Sequence, residues 1–208
     1  MQDLFRYGID EHGQIRNEKT HKFKRSPIGK IPAGWDIKPL KNLREFITSG
    51  SRGWAKYYTE SGALFLRIGN LTRENVNLRF DDIVYVKPPK DSEGNRTRTN
   101  PGDVLISITA DLGIIGFVPA TLTEAYVNQH IALLRFADPD VLAPWIAFYL
   151  WSIYGQKQFQ TLNDGGAKAG LNLPTVDNLF VMTPVCQAAT KRVLWLSWNS
   201  FSNCLGGL

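Results

Sequence analysis

The chain has 208 residues, 43% of them hydrophobic, and carries 24 Lys and Arg against 19 Asp and Glu, a formal charge of +5. That is enough apolar material for one sizeable core in one or two domains, too much for a disordered tail protein, and the basic balance suits a polyanionic partner. The two cysteines, Cys186 and Cys204, have no C-x-x-C spacing, which argues against a zinc site or a disulfide framework and for a reducing cytoplasm.

Residues 1–34 are polar and punctuated by Gly8, Gly13, Pro27, Gly29, Pro32 and Gly34, a pattern that forbids a long helix and predicts an extended arm or linker. Within it, Met1 to Gly8 accommodates one or two helical turns, with Leu4 and Phe5 apolar. The core is predicted to begin at Trp35. Strands are expected at Trp35 to Leu40, Leu64 to Ile68 and Ile83 to Val86. Between the first two lies a glycine-punctuated loop, Thr48 to Lys56, which carries Arg52, Lys56 and Trp54. The stretch Lys87 to Asn100 is read as an irregular basic loop because of Pro88-Pro89. Pro101-Gly102 then launches a strand in which Val104, Ile106 and Ile108 share one face, ending at a polar tip, Thr109-Ala110-Asp111, before the apolar run at Ile114. Another strand spans Ile131 to Phe136.

Asp140 is the expected N-cap of a helix running to about Gln160, with Pro144 in its permitted first turn. Its apolar residues lie nearly all round, so it is packed on more than one side, and the longest apolar segment, Val141 to Tyr154, is too short to span a bilayer. A glycine-containing loop follows from Asn163 to Gly170. Thr175 is expected to cap a single turn before a strand at Phe180 to Thr183. From Cys186 onward the tryptophan-containing tail has no clean period and is placed outside the core.

Catalytic patterns are missing. The nearest match to an adenine-methyltransferase base-holding motif is Lys87-Pro-Pro-Lys90, with lysine at both diagnostic places, and no glycine-rich cofactor loop precedes it. Asp138-Pro-Asp140 has no acidic-x-Lys partner to hold magnesium. His12, His21 and His130 are scattered, which disfavours zinc and a histidine-centred triad, and His130 is expected to be a hydrogen-bonded structural residue. No phosphate-binding P-loop occurs. The chain is therefore read as non-catalytic, with no cofactor and no metal.

Several segments taken in order carry a family resemblance: Ser26-Pro-Ile-Gly-Lys-Ile-Pro-Ala-Gly-Trp-Asp36, Gly62-Ala-Leu-Phe-Leu-Arg-Ile-Gly-Asn70, Asp82-Ile-Val-Tyr85, Pro101-Gly-Asp-Val-Leu-Ile-Ser107, Val127-Asn-Gln-His130 and Gly170-Leu-Asn-Leu-Pro174. In this order and spacing the chain resembles the target recognition domain of the specificity subunit of type I restriction-modification enzymes. The resemblance implies an α+β fold, a twisted, mostly antiparallel β-sheet recognition domain with a packed C-terminal helix, and with the family's long conserved-region helices largely absent. It divides the chain into 1–34, an arm at the end of a conserved-region helix, 35–185, the recognition domain, and 186–208, a divergent tail. After Pro184 the chain departs from the family, which continues with a Pro-x-x-Glu-Gln element opening a long helix. A half-subunit or a truncated form is the expectation.

The implied function is sequence-specific binding of double-stranded DNA, one half of a bipartite site. Implied partners are methyltransferase (modification) subunits, restriction subunits acting through them, and a second half-subunit or a homodimer; no membrane is involved. Major-groove reading suits Arg for guanine and Asn for adenine, so Arg52, Arg67 and Asn70, with Thr109 and Asp111 at the strand tip, are the base-edge candidates. Lys56, Lys87, Lys90, Arg96, Arg98 and Lys168 are the candidates for phosphate contact, which orients without specifying. The rival readings are an assembly or remnant domain that pairs with another half-subunit without specific DNA binding, and the severed recognition domain of a combined methyltransferase-nuclease.

Overall fold

A computed structural model describes residues 2–8, 10, 12, 14–50, 52–90, 92–164 and 170–184. In chain order these form α1 (Gln2–Tyr7), β1 (Phe23–Ser26), β2 (Gly29–Pro32), β3 (Trp35–Pro39), β4 (Arg44–Ser49), β5 (Tyr58–Thr59), β6 (Ala63–Leu66), β7 (Tyr85–Val86), α2 (Ser92–Thr97), β8 (Val104–Ser107), β9 (Ile115–Phe117), β10 (Ala125–Val127), β11 (Ile131–Phe136), α3 (Leu142–Trp151), α4 (Ile153–Asp164), α5 (Leu173–Asp177) and β12 (Phe180–Pro184). The architecture is α+β, with twisted, mainly antiparallel sheets and a few helices. One four-stranded sheet has the order β4-β11-β8-β9 and a second has β10-β6-β7-β5, while β1-β2 and β12-β3 make two-stranded pairs.

The first of these sheets is covered on both faces, which is why its strands read as nearly continuous apolar runs. Val104, Ile106, Ala132 and Leu134 face α3 and the aromatic cluster around Trp145. Leu105, Ile131 and Leu133 alternate to the other side and pack on Leu66, Ala125 and Val127 of the second sheet. The expected alternation of Val104, Ile106 and Ile108 is observed, all three lying in the larger cluster. Trp145 closes that cluster by donating from Nε1 to the Met182 carbonyl at 2.6 Å, which fixes α3 on β12.

Four local expectations are corrected. Residues 1–34 do not stay outside the core: Phe5 packs on Trp145 at 5.1 Å between ring centroids, and Ile31 of the β1-β2 hairpin is buried with it. The basic loop after Pro88-Pro89 contains α2, because proline restricts only its own residue and the one before it and the helix starts three residues on. The long helix starts at Leu142 without a cap from Asp140, and the turn before it is closed by Asp138, whose carboxylate accepts from Val141 N at 2.9 Å. It is also broken at Ser152, which is extended (ψ 166°) and donates from Oγ to the Tyr149 carbonyl. Finally, Asn172 and not Thr175 caps α5, accepting from Thr175 N at 2.8 Å.

Candidate nucleic-acid interface

Strand register decides which candidate residues meet. β6 and β10 run parallel, Leu66 opposite Val127, so both end on the same side of the molecule. The antiparallel pairs Ser49↔Ala132 and Ser107↔Ile131 put the ends of β4 and β8 and the start of β11 there as well. Backbone bonds stitch these ends into one rim: Gly50 N to Ile131 O at 3.3 Å, Asn128 N to Leu66 O at 3.0 Å, Ile108 N to His130 O at 2.9 Å and Leu171 N to Ile108 O at 2.7 Å. Glycine is required at position 50, where a Cβ would sit 2.0 Å from the Val127 carbonyl oxygen. The rim carries Arg67, Thr109 and the turn Asn128-Gln129-His130, and Arg52, which is exposed, follows Gly50 by two residues.

Arg67 donates from Nη2 to Asp82 at 2.6 Å. The Asp82 side chain is 80% exposed, so the pair lies in solvent, where such a bridge contributes only about 0–1 kcal/mol and yields readily to another acceptor. The buried Arg67 Nε has no partner among the described residues. His130 is hydrogen-bonded as expected, its Nδ1 lying 2.6 Å from Thr109 Oγ1 and its Nε2 lying 2.8 Å from Gln129 Nε2.

Two base-edge candidates have partners within the fold. Asn70 is buried and its amide is spent inside the fold: it accepts from Arg67 N at 2.8 Å and donates to the Arg79 and Asp82 carbonyls at 3.0 and 3.2 Å. It holds the 71–82 loop, where both of its amide N–H groups are used. Asp111 is bound by Arg73, which donates to both carboxylate oxygens, to the Leu112 carbonyl at 2.9 Å and to Gln156 at 3.0 Å. This clamp borders a cleft of about 210 Å³ between the strand tip and α4, floored by Phe159. The tip residue Ala110 has φ 57°, a strained left-handed conformation for a residue with a Cβ.

The phosphate candidates fall on the opposite end of β6 and around α2. Trp54 is buried there, stacked on Phe65 at 5.4 Å and 13°, with Tyr57 and Tyr126 on its edges. Trp54 is thus a core residue. Lys56 lies over the Tyr57 ring at 4.9 Å, and the Lys87 backbone N–H donates to the Tyr57 carbonyl, so the two lysines flank one edge. Lys90 is exposed. Arg98 stands 3.6 Å from Glu124, which also accepts from the Tyr126 hydroxyl at 2.6 Å. Burial, then Glu124, pushes that hydroxyl up to about 12, so it stays protonated. Arg96 is committed to the end of β4, donating to Thr48 Oγ1 and to the Ser49 carbonyl at 2.5 Å, which makes it a support for the rim. Lys168 lies outside the described residues, as do Cys186 and Cys204.

Among the described residues no group of three or more His, Cys, Asp and Glu is placed to hold a metal ion, and no helix is long and apolar enough to cross a membrane. Residues that local sequence did not single out are Arg73 and Gln129. Arg73 acts on a residue 38 positions away, and Gln129 was visible only as part of a strand flank.

No protein-family model matches the chain. A curated relative, the type I restriction enzyme MjaVIII specificity subunit of Methanocaldococcus jannaschii, is 23% identical over 193 residues, covering 88% of this chain and 42% of its own length. Among solved structures, the HsdS subunit from Thermoanaerobacter tengcongensis matches with a TM-score of 0.54 and 21% identity, over 85% of this chain and 39% of that one. The type I restriction-modification S subunit from M. genitalium matches at 0.55 and 15% identity, over 80% and 40%. A chain from a study of assembly and conformational transition of the type I R-M system matches at 0.60 and 18%, over 89% and 42%. The chain resembles one domain of a type I restriction enzyme specificity subunit. It spans about two fifths of the length of the relatives it matches.

The segments that carry the specificity-subunit resemblance do structural work here. Asp103 of Pro101-Gly-Asp-Val is fully buried and accepts from Arg135 Nε and Nη2 at 2.8 and 2.7 Å and from Asn100 N at 2.7 Å. Burial raises its pKa in spite of that arginine. Asn70 and Asn172 close their turns, and Asn128 accepts from His130 N at 3.1 Å. These segments build the frame and place the rim.

Proposed function

We propose that this chain is a non-catalytic, sequence-specific duplex-DNA module of a type I restriction-modification system. It reads one half of a bipartite site and directs adenine methylation and cleavage by modification and restriction subunits that dock beside it, in the cytoplasm and without a cofactor of its own. The observation that carries this reading is the rim. Five strand termini converge there and present Arg52, Arg67, Thr109 and Gln129 on a backbone tied together by hydrogen bonds. Base reading in the major groove needs donors and acceptors on such a rigid frame.

Arg67 suits guanine, because its present partner is a solvent-exposed carboxylate. Lys56, Lys87, Lys90 and Arg98, at the other end of β6, suit phosphates, and Lys168 is proposed for the same role from its glycine-rich neighbourhood. Selection from a random duplex library tests the proposal. The chain is expected to enrich a short motif, over weak nonspecific binding of roughly 10⁻⁴–10⁻⁶ M that falls steeply with salt. Failure to enrich any motif, with and without a modification subunit, overturns it in favour of an assembly domain that pairs with another half-subunit.

A further inference from the structure

We propose that Gln129 is an adenine-reading side chain of the rim, held in its reading orientation by His130 and Thr109. The inference rests on the DNA-specificity reading above and assigns one base preference to one residue. The Gln129 amide nitrogen lies 2.8 Å from His130 Nε2, and His130 Nδ1 lies 2.6 Å from Thr109 Oγ1. With the amide nitrogen toward the ring, Gln129 donates, Nε2 accepts, and the imidazole carries its proton on Nδ1. That proton goes to Thr109 Oγ1. One relay thus fixes the tautomer, the ring and the amide plane together.

What the relay leaves open decides the ligand. Gln129 retains its second N–H and its carbonyl oxygen, and neither has a partner among the described residues. One donor beside one acceptor in a plane matches the N6 amino group and N7 of adenine in the major groove, where guanine presents two acceptors. The residue sits in the turn between β10 and β11, half-buried, and Asn128 closes that turn by accepting from His130 N. The side chain is therefore ordered before DNA arrives, and little further freedom is lost on binding. Gln129 makes the base contact; His130 and Thr109 are positioning residues.

Selection from a random duplex library by the full chain and its variants tests this. The unaltered chain should enrich a motif with a strong adenine preference at one position. Gln129→Ala should lower that preference about tenfold there and leave the other positions unchanged. Gln129→Glu, which offers acceptors only, should move the preference towards cytosine. His130→Phe, which keeps a planar ring and removes both nitrogens, should reduce the adenine preference as Gln129→Ala does, and Thr109→Val should do so less. Gln129→Met replaces Gln129→Ala if thermal melting shows that the alanine variant does not fold. An intact motif with unchanged adenine preference in the Gln129 variants overturns the assignment and leaves the DNA reading standing. Equal weakening on all sequences overturns it too, making Gln129 a backbone contact. Absence of any motif from the unaltered chain overturns the DNA reading itself.

Discussion

The two ends of the parallel pair β6 and β10 are built in opposite ways. At the Leu66/Val127 end, polar groups are locked: Asn70 spends its amide on three backbone partners, and His130 is bonded at both ring nitrogens. At the Ala63/Ala125 end an aromatic cluster under Trp54 supports cations that are loosely held, Lys56 over a ring and Arg98 at 3.6 Å from Glu124. Base discrimination depends on angles and is lost when a donor moves, whereas attraction to phosphate depends on distance and tolerates a mobile charge. On the proposed function, one short strand pair separates a rigid edge suited to base reading from a compliant charged edge suited to phosphate.

The largest effect expected is collapse of the charged end. Trp54→Ala removes the centre of the aromatic cluster and should destabilise the chain by about 3–5 kcal/mol in denaturant unfolding. The indole Nε1 is buried without a partner among the described residues. Trp54→Phe keeps a stacked ring and removes that unsatisfied N–H, so its cost should stay below about 2 kcal/mol. Equal losses for the two variants would mean that the indole packing, and not the stack on Phe65, holds the end together.

Next comes the rigid end. Asn70→Ala removes a buried amide that bridges the Arg67 N–H and the Arg79 and Asp82 carbonyls, and should cost about 1–3 kcal/mol. Sequence preference should fall with stability, because the 71–82 loop that carries Asp82 loses its anchor. A fully stable Asn70→Ala domain with lost selectivity would instead return Asn70 to the reading edge.

Why some of this was legible and some was not follows from distance along the chain. Val104 to Ser107 and Ile131 to Phe136 were readable because a Pro-Gly turn and local apolar runs encode them. The long helix was readable as a helix, but its break at Ser152 was not, since nothing in Trp151-Ser152-Ile153 forbids continuation and the kink depends on Gly155 closing against Leu150, where a Cβ would meet the Leu150 carbonyl oxygen at 2.3 Å. The six residues of α2, five polar and one glycine, have no apolar period to betray them, and Arg96 ties them to β4 across 47 positions. The same limit governs the site. Arg67 and Thr109 could be proposed from chemistry and strand ends, while the capture of Asp111 by Arg73 and the joining of Thr109 to His130 are tertiary facts, spanning 38 and 21 positions.

A milder test of the rigid end is Arg67→Ala. Its ion pair with Asp82 is solvent-facing, so stability should change by less than about 1 kcal/mol. Loss of a bidentate guanine contact should nevertheless cost about 1–3 kcal/mol of discrimination at a single position of the selected motif, read by competition between matched and substituted duplexes. Uniform weakening across all duplexes would move Arg67 into the phosphate-contacting set.

The smallest effect belongs to the compliant end and has the most specific signature. Lys90 is exposed, so Lys90→Ala should leave folding unchanged. It should weaken binding to matched and random duplexes by the same factor and reduce the slope of log affinity against log salt by about 1, the release of one counterion's worth of charge. Lys87→Ala should behave alike, and the double variant should add the two slope changes, since mobile charges contribute independently. A Lys90→Ala variant whose loss is confined to one base position would place a reading residue at the charged end, and the division between the ends of β6 and β10 would then fail.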